Sequence, residues 1–540
     1  MPTLLQKLNR PAVAIIAVGL IAGVLRFTHL SYPSERIFDE VYYSKSACIF
    51  LGYSDERCAI TSSDEEFWRN DKNDTGAWVH PPLGKWAIAF GELAFGANSF
   101  GWRFSSAVAG TASVVFLAII LQLLFGSPIW TFTGGLLLAT EGLNFVQSRV
   151  AMLDIFVTFW IVLTFLLLLL DRRWIDRRTP IPIAASDTAA GGAGAEATPE
   201  PPAMTDAAGA ALGLDPGSGL DAVSGLDAGS GLDAALGLDA GSGEEVAAAL
   251  IPPTAVGVPS PLWRPWRLAT GVALGAAVAT KWSGLTAVFG VIVLSLMWEI
   301  ARRRRAGMHT RRALWRTIQF ESFPIVVFFL AVPVVVYYTS YIGWFLHFGW
   351  SVDKWIHLQA DIANYHAHLK SVGDKGKPIH PYLAQAWKWI LLWRPVLYFA
   401  KYDKDVRHVI YANGNPAIFW GSIIAIPYAG YAWWKKREWR AGYVVLTIAA
   451  LYLPWFLVTR PQFSFYATPI TPFFVLACVY ALRDLSEAHI AGSHSRPWLP
   501  VAVGFVIVSV GLFFWFWPAL TGGPLSGTAW QMRAWLPSWI

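Results

Sequence analysis

Charge is what this sequence is short of. Asp, Glu, Lys and Arg make up 14% of its 540 residues, against about 25% in an ordinary soluble domain. With 55% hydrophobic residues, the chain falls outside both the solvated globular class and the disordered class. Cysteine is scarcer still. Cys48, Cys58 and Cys478 are too few for a disulfide scaffold. The first two share one polar loop and are either one bridge or two free thiols. Also missing is a small-residue cleavage site after the first apolar run. Lys7 and Arg10 precede a run from Pro11 to about Leu30, which reads as a retained span.

What is present points to a membrane. Trp occurs 29 times, a number that suits the two membrane–water interfaces. Apolar runs able to cross roughly 30 Å of hydrocarbon occur about eleven times. They centre near 12–29, 104–124, 129–147, 152–170, 267–282, 283–300, 322–341, 416–434, 441–458, 466–482 and 499–517. The net charge of +6 does not imply nucleic acid, because the basic residues sit in short clusters beside these runs. Lys7/Arg10, Arg172/Arg173/Arg177/Arg178, Arg264/Arg267, Arg302 to Arg312 and Lys435 to Arg440 all fall on one side when the spans alternate. The positive-inside trend then puts the N-terminus in the cytoplasm and the C-terminus outside. The expected fold class is an all-α polytopic membrane protein.

Two long loops, about 30–102 and 342–415, would face outward and are rich in His, Asp, Glu, Trp and Pro. Function concentrates in loops carried by a rigid scaffold. Residues 179–260 differ. They repeat Leu-Asp every six residues from Leu214 to Asp239 and contain no aromatic residue, so they cannot bury enough apolar surface to order themselves. This segment is expected to be a disordered cytoplasmic insertion between two transmembrane regions, 1–178 and 261–540. Its Asp spacing lacks the Gly-Gly-x-Gly-x-Asp pattern of calcium repeats.

The first outward loop opens with Phe38-Asp39-Glu40-Val41-Tyr42-Tyr43. An isolated carboxylate pair at a surface is usually solvated. Here it follows an apolar helix and is flanked by aromatics, which favours a partly desolvated site where a carboxylate can be tuned as a general base. His80-Pro81-Pro82-Leu83-Gly84-Lys85 presents His80 on a rigid turn, followed by an amphipathic stretch to about Phe95. Lys85 is either part of the site or a lysine snorkelling to the interface. Arg103, Arg149, Lys281 and Arg460 lie at the outer ends of spans, with Asp154 close to Arg149. Buried charge near a membrane costs several kcal/mol unless paired or functional. Arg149 and Asp154 could simply pair with each other. A phosphate would satisfy several of the cations at once. Together these features suggest transfer from a lipid phosphate, where a base takes the acceptor proton and cations hold the leaving group.

With these residues in view, the sequence resembles the bacterial branch of the protein O-mannosyltransferases. The matching stretches are Phe38-Asp39-Glu40, His80 to Lys85, Ser148-Arg149 with Asp154, Ala279-Thr280-Lys281-Trp282-Ser283-Gly284-Leu285, His380-Pro381-Tyr382, Arg394-Pro395, Gly414-Asn415-Pro416 and Arg460-Pro461-Gln462-Phe463. The resemblance implies an eleven-span glycosyltransferase C fold, a polyprenyl-phosphate-mannose donor and Ser or Thr acceptors in secreted proteins, handed over by the translocon. It also implies inversion at the sugar and a plasma-membrane location. Asp39 would be the base, with Glu40 assisting it or binding the acceptor; Arg149 and Lys281 would hold the donor phosphate, with His80, Lys85, Arg103, Asp154, His380 and Arg460 around it. No cofactor is firmly implied, although Asp39, Glu40 and Asp154 could offer oxygen ligands to a divalent metal. The second outward loop is too short for the β-trefoil domain of eukaryotic relatives. Rival readings are a lipid-phosphate-sugar transferase with a lipid or glycan acceptor, and a transporter. The transporter is disfavoured because the hydrophobic halves do not match.

Overall fold

The computed structural model of the chain describes residues 10–60, 79–178, 261–372, 378–488 and 497–539. The expected insertion 179–260 lies outside these residues. Helices dominate. In chain order the ones that matter here are α1 (Pro11–Phe27), α2 (Glu40–Phe50), α3 (Leu83–Phe95), α4 (Ser99–Phe125), α5 (Pro128–Ala139), α6 (Gly142–Gln147) and α7 (Leu153–Arg178). They are followed by α8 (Pro265–Thr280), α9 (Leu285–Arg305), α10 (Val352–His368), α11 (Pro416–Lys436), α12 (Trp439–Tyr452), α13 (Thr471–Glu487) and α14 (Leu499–Thr521). Seven helical segments among the described residues are long and apolar enough to cross a membrane, and α1 and α5 are shorter apolar helices. Pro at the first turn starts α1, α5, α8 and α11, where its missing N–H costs no helix hydrogen bond.

In lipid, helices associate through close packing of small residues because no hydrophobic force drives apolar faces together. α8 follows that rule. A Cβ on its Gly275 would lie 2.8 Å from the backbone of Pro333, so only glycine allows this approach. α7 and α8 run antiparallel and are fastened at both ends. Asp154 at the start of α7 meets Lys281 just beyond α8, and Asp171 near the end of α7 meets Arg264 just before α8. At Lys281 the helix stops in an extended residue (φ −159°, ψ 138°). A single 3₁₀ turn then leads into α9. Between the two closely spaced apolar runs, Lys281 is therefore a break whose side chain is buried.

The all-α expectation needs one correction. The second long loop contains a hairpin, β1 (Val396–Asp403) and β2 (Val406–Ala412), and β3 (Pro524–Ser526), which follows α14, pairs with β2, giving the order β1-β2-β3. Both hairpin strands are rich in β-branched and aromatic residues, joined by a two-residue turn in which Lys404 takes positive φ. Charge-rich flanks made this segment read as loop. The same loop carries α10, so it is structured on either side of residues 373–377. The first loop contains α2 and α3, and a Cys48–Cys58 disulfide closes the far end of α2.

Candidate active site

The fold gathers residues from α2, α7, α8 and the loops before α3 and α13 at one end of the bundle. Asp39 is the N-cap of α2. Burial pushes its carboxyl up to about 6, against the opposing pull of Lys281; Asp154 raises it further, and a hydrogen bond from Tyr43 lowers it. Among the described residues Asp39 forms no ion pair. Lys281 is instead held by Asp154, with Nζ 2.9 Å from both carboxylate oxygens, and it sits 4.6 Å from the ring centre of Tyr466. The centre is thus a carboxylate, a cation and a second carboxylate in a mostly apolar, aromatic surround.

Glu40, adjacent in sequence, is placed quite differently. It is fully buried and receives Arg103 Nε at 2.7 Å and Nη2 at 2.8 Å. It also accepts the backbone N–H groups of Ile37 and Ala151. Arg103 spends its remaining donors on the carbonyls of Leu30, Pro33 and Glu35. Such a bidentate pair ties the first loop to the starts of α4 and α7. Both side chains are fully buried.

Arg149 does not pair with Asp154. Its Nη1 donates to the carbonyls of Leu25, Arg26 and Thr28 and its Nη2 to that of His29. These are carbonyls of the α1 C-terminus, which lack helical partners. Arg26, buried beneath, donates to Ser148 and Asn144. The four outer cations therefore do not form one open ring. Arg103 and Arg149 are largely consumed by protein oxygens; Lys281 and Arg460 remain at the centre.

His80 is buried and stacks on His366 of α10 at 5.3 Å between ring centres. Burial and the surrounding cations, Lys281 first, hold its imidazole well below the usual range. Arg460 donates to His366 Nδ1 at 3.2 Å, which leaves the His366 ring proton on Nε2, donated to the Val79 carbonyl at 2.8 Å. Burial pushes His366 down to about 4, so it is neutral under ordinary conditions. Lys85 is buried in α3, and desolvation pushes it down to about 7. Gly84 beside it leaves room for α7 and α8, since a Cβ there would lie 2.7 Å from Leu153 and 2.9 Å from Thr280. His380 stands farther out, against Tyr382 and Phe463. The three carboxylates that could have served a metal are not gathered, because Glu40 closes on Arg103 and Asp154 on Lys281. Among the described residues no three His, Cys, Asp or Glu side chains converge.

Sequence reasoning passed over His366, Tyr398 and Tyr466, and gave Tyr43 no role of its own. Tyr398 accepts a hydrogen bond from Gln147, 251 residues away, and lies flat on Phe38 at 4.3 Å. No local pattern signals such a pairing. Tyr466 was within reach, three residues beyond Phe463 in a stretch already singled out.

Comparisons with known proteins agree with one another. The pattern of the family described as dolichyl-phosphate-mannose-protein mannosyltransferase matches residues 16–178, and that of the C-terminal four-span region of protein-O-mannosyltransferase matches residues 351–539. The chain is 30% identical to the polyprenol-phosphate-mannose–protein mannosyltransferase of Mycolicibacterium smegmatis, over 97% of this chain and 92% of that protein. It is 29% identical to the protein of the same name from Mycobacterium tuberculosis, over 97% and 90%. Among solved structures, the Saccharomyces cerevisiae protein O-mannosyltransferase Pmt1-Pmt2 complex bound to the sugar donor superposes with a TM-score of 0.64 at 14% identity, covering 100% of this chain and 93% of that one. That likeness speaks for the fold.

Proposed function

We propose, for a chain that belongs to the protein O-mannosyltransferase family, that Asp39 takes the acceptor proton while Lys281 and Arg460 steady the lipid phosphate. The enzyme is a membrane glycosyltransferase that moves mannose from polyprenol-phosphate-mannose to protein. In the step envisaged here, a Ser or Thr hydroxyl oxygen bonds to the sugar C1 as the C1–O bond to phosphate breaks, with inversion. The proton passes to Asp39 and the bonding electrons leave on the phosphate, whose charge Lys281 compensates. A phosphate is already a good leaving group, so no general acid is required.

The observation that carries this reading is the position of Asp39. It is the carboxylate of the centre without an ion pair, and burial raises it toward the range in which a base works near neutral pH. Glu40 and Arg103 become positioning residues, holding the loop that presents Asp39. Arg149 is a second one, fixing the end of α1. We also propose eleven crossings, an N-terminus in the cytoplasm and a catalytic end outside the plasma membrane, receiving secreted chains handed over by the translocon. Two features support this topology. The basic clusters alternate consistently with the spans, and β3 pairs with β2, which requires the segment after α14 and the second long loop to share an end.

Asp39→Asn keeps size and hydrogen bonding but cannot accept the proton. Turnover in membranes supplied with polyprenyl-phosphate-mannose and a Ser-containing peptide should fall by about 10²–10⁴-fold, with donor affinity nearly unchanged. Near-normal turnover in Asp39→Asn would end the assignment of this residue as the base.

A further inference from the structure

Between residues 29–35 and β1 lies an open cleft of about 350 Å³, lined by His29, Tyr32, Ser34, Glu35, Phe399 and Lys401. The mechanism above does not use it. We propose that this cleft, together with the free edge of β1, binds the acceptor as an extended polypeptide, with its hydroxyl-bearing residue reaching Asp39 from there. The inference rests on the mannosyltransferase reading and names the acceptor's path within it.

Four observations lead to it. First, β1 stands at the edge of its sheet, because the order is β1-β2-β3. Among the described residues no backbone group outside the hairpin bonds to its outer edge. The half from Ala400 to Asp403 is exposed. An exposed edge is a template for another extended chain, giving main-chain hydrogen bonds that are indifferent to side-chain identity.

Second, the strand leads to the chemistry. Its bulged residue Tyr398 lies against Phe38 at 4.3 Å, immediately before Asp39. Phe399 and Lys401 line the cleft. From Tyr398 to Lys401 is three residues of strand, about 10 Å, so a peptide laid along the edge spans the gap with three or four residues.

Third, the opposite wall is rigid. The carbonyls of His29, Leu30, Pro33 and Glu35 are held by Arg149 and Arg103, so the wall is formed before any acceptor arrives. This loop continues directly into Asp39.

Fourth, the lining chooses among ligands. A lipid tail would want a continuous apolar wall, and a phosphate would want cations without a carboxylate. Tyr32 and Phe399, 6.2 Å apart edge to face, with Glu35 and Lys401 of opposite sign, suit a polypeptide of mixed side chains instead.

The test measures mannose transfer from polyprenyl-phosphate-mannose to a Ser-containing peptide in membranes carrying wild type, Tyr32→Ala or Lys401→Glu. Loss of an aromatic anchor should raise the peptide KM about tenfold, with donor KM and saturated turnover little changed. A raised donor KM with an unchanged peptide KM overturns the cleft as acceptor site. Because truncation can disturb folding, Lys401→Cys supplies a second measurement. A peptide carrying a disulfide-activated cysteine three residues from its Ser should crosslink to it, and excess unmodified peptide should suppress the crosslink. A crosslink that unmodified peptide does not suppress, or none at all, overturns the proposal. If wild type transfers mannose to no peptide, the acceptor class itself is wrong, a result distinct from failure of the cleft.

Discussion

The two ends of the bundle both bury clusters of charge, and they do so to opposite effect. At the end away from the active site, Arg264 grips Asp171 through Nε at 3.0 Å and Nη2 at 2.5 Å and also reaches Glu299 at 2.7 Å. Arg302 closes on Glu299 at 2.7 Å, and Arg267 on Glu321 at 2.6 Å. Every carboxylate there has an arginine, and the geometry is bidentate or networked, which is what makes a buried ion pair tolerable. At the catalytic end the Glu40–Arg103 pair follows the same rule. Asp39 does not: Tyr43 gives it a hydrogen bond, but the nearby cation is already engaged by Asp154. Burial alone therefore does not separate a charge that holds the fold from one left without an ion pair, and counting charges at span ends cannot separate the two cases.

The sharpest way to break this contrast is to exchange which end suffers. Lys281→Ala removes the cation between two carboxylates, so donor affinity and turnover should fall together, by about 10²–10³-fold if it serves as a preorganised electrostatic group. Lys281→Arg need not rescue, since a planar fork replaces a point charge. Normal donor affinity in Lys281→Ala would remove it from phosphate binding. Arg264→Ala should do the reverse. It takes the bidentate partner from Asp171, which keeps only Arg267 at 3.7 Å, while Glu299 retains Arg302. The cost of up to about 3–5 kcal/mol is seen as a lower unfolding temperature in detergent, while the donor KM of the folded fraction stays put. A changed donor KM would show that the far end is coupled to the site.

A smaller effect concerns pH. The working form of Asp39 is the carboxylate, and its carboxyl is pushed up to about 6, so turnover should decline as pH falls below that value, about tenfold per unit well below it. His366, pushed down to about 4, stays neutral through this window and cannot cause the limb. The decline should vanish from the residual activity of Asp39→Asn. Smallest of all should be deletion of residues 185–255. Asp171 and Arg264 already fasten the flanks of that segment to each other, so a short linker suffices. Transfer activity lost despite normal membrane insertion would reveal a role for the segment.

The membrane class and the placing of the apolar helices, with Lys281 between two closely spaced runs, were legible in the sequence because each rests on local composition. The neighbourhood of Asp39, His80, Lys281 and Asp154 was legible too, since charged residues beside apolar runs stand out singly. Partner choice was not. Glu40 and Arg103 are 63 residues apart and Lys281 and Asp154 are 127 apart, and no periodicity records which charge meets which. That is why the carbonyl partners of Arg149 at the end of α1 and the Arg103 partner of Glu40 could not be read from the sequence. The sheet escaped notice for a related reason. β3 is only three residues long and pairs across more than a hundred residues, below any local signal.

That short strand sets an order of events in synthesis. Tyr398 is braced by the hairpin, and the hairpin is in turn fastened by residues beyond α14. Arg394 donates to the Ser538 carbonyl, Tyr411 to that of Trp539, and the Trp539 indole to that of Leu392. None of these ties can form until residues 522–539 have left the ribosome. Asp39 and Tyr398 are both made before residues 522–539, yet the hairpin beside them is fastened only once those residues are present. A nascent chain with most of its helices already inserted would still lack a fixed wall beside Asp39. On this timetable the hairpin is locked only after residues 522–539 have been made.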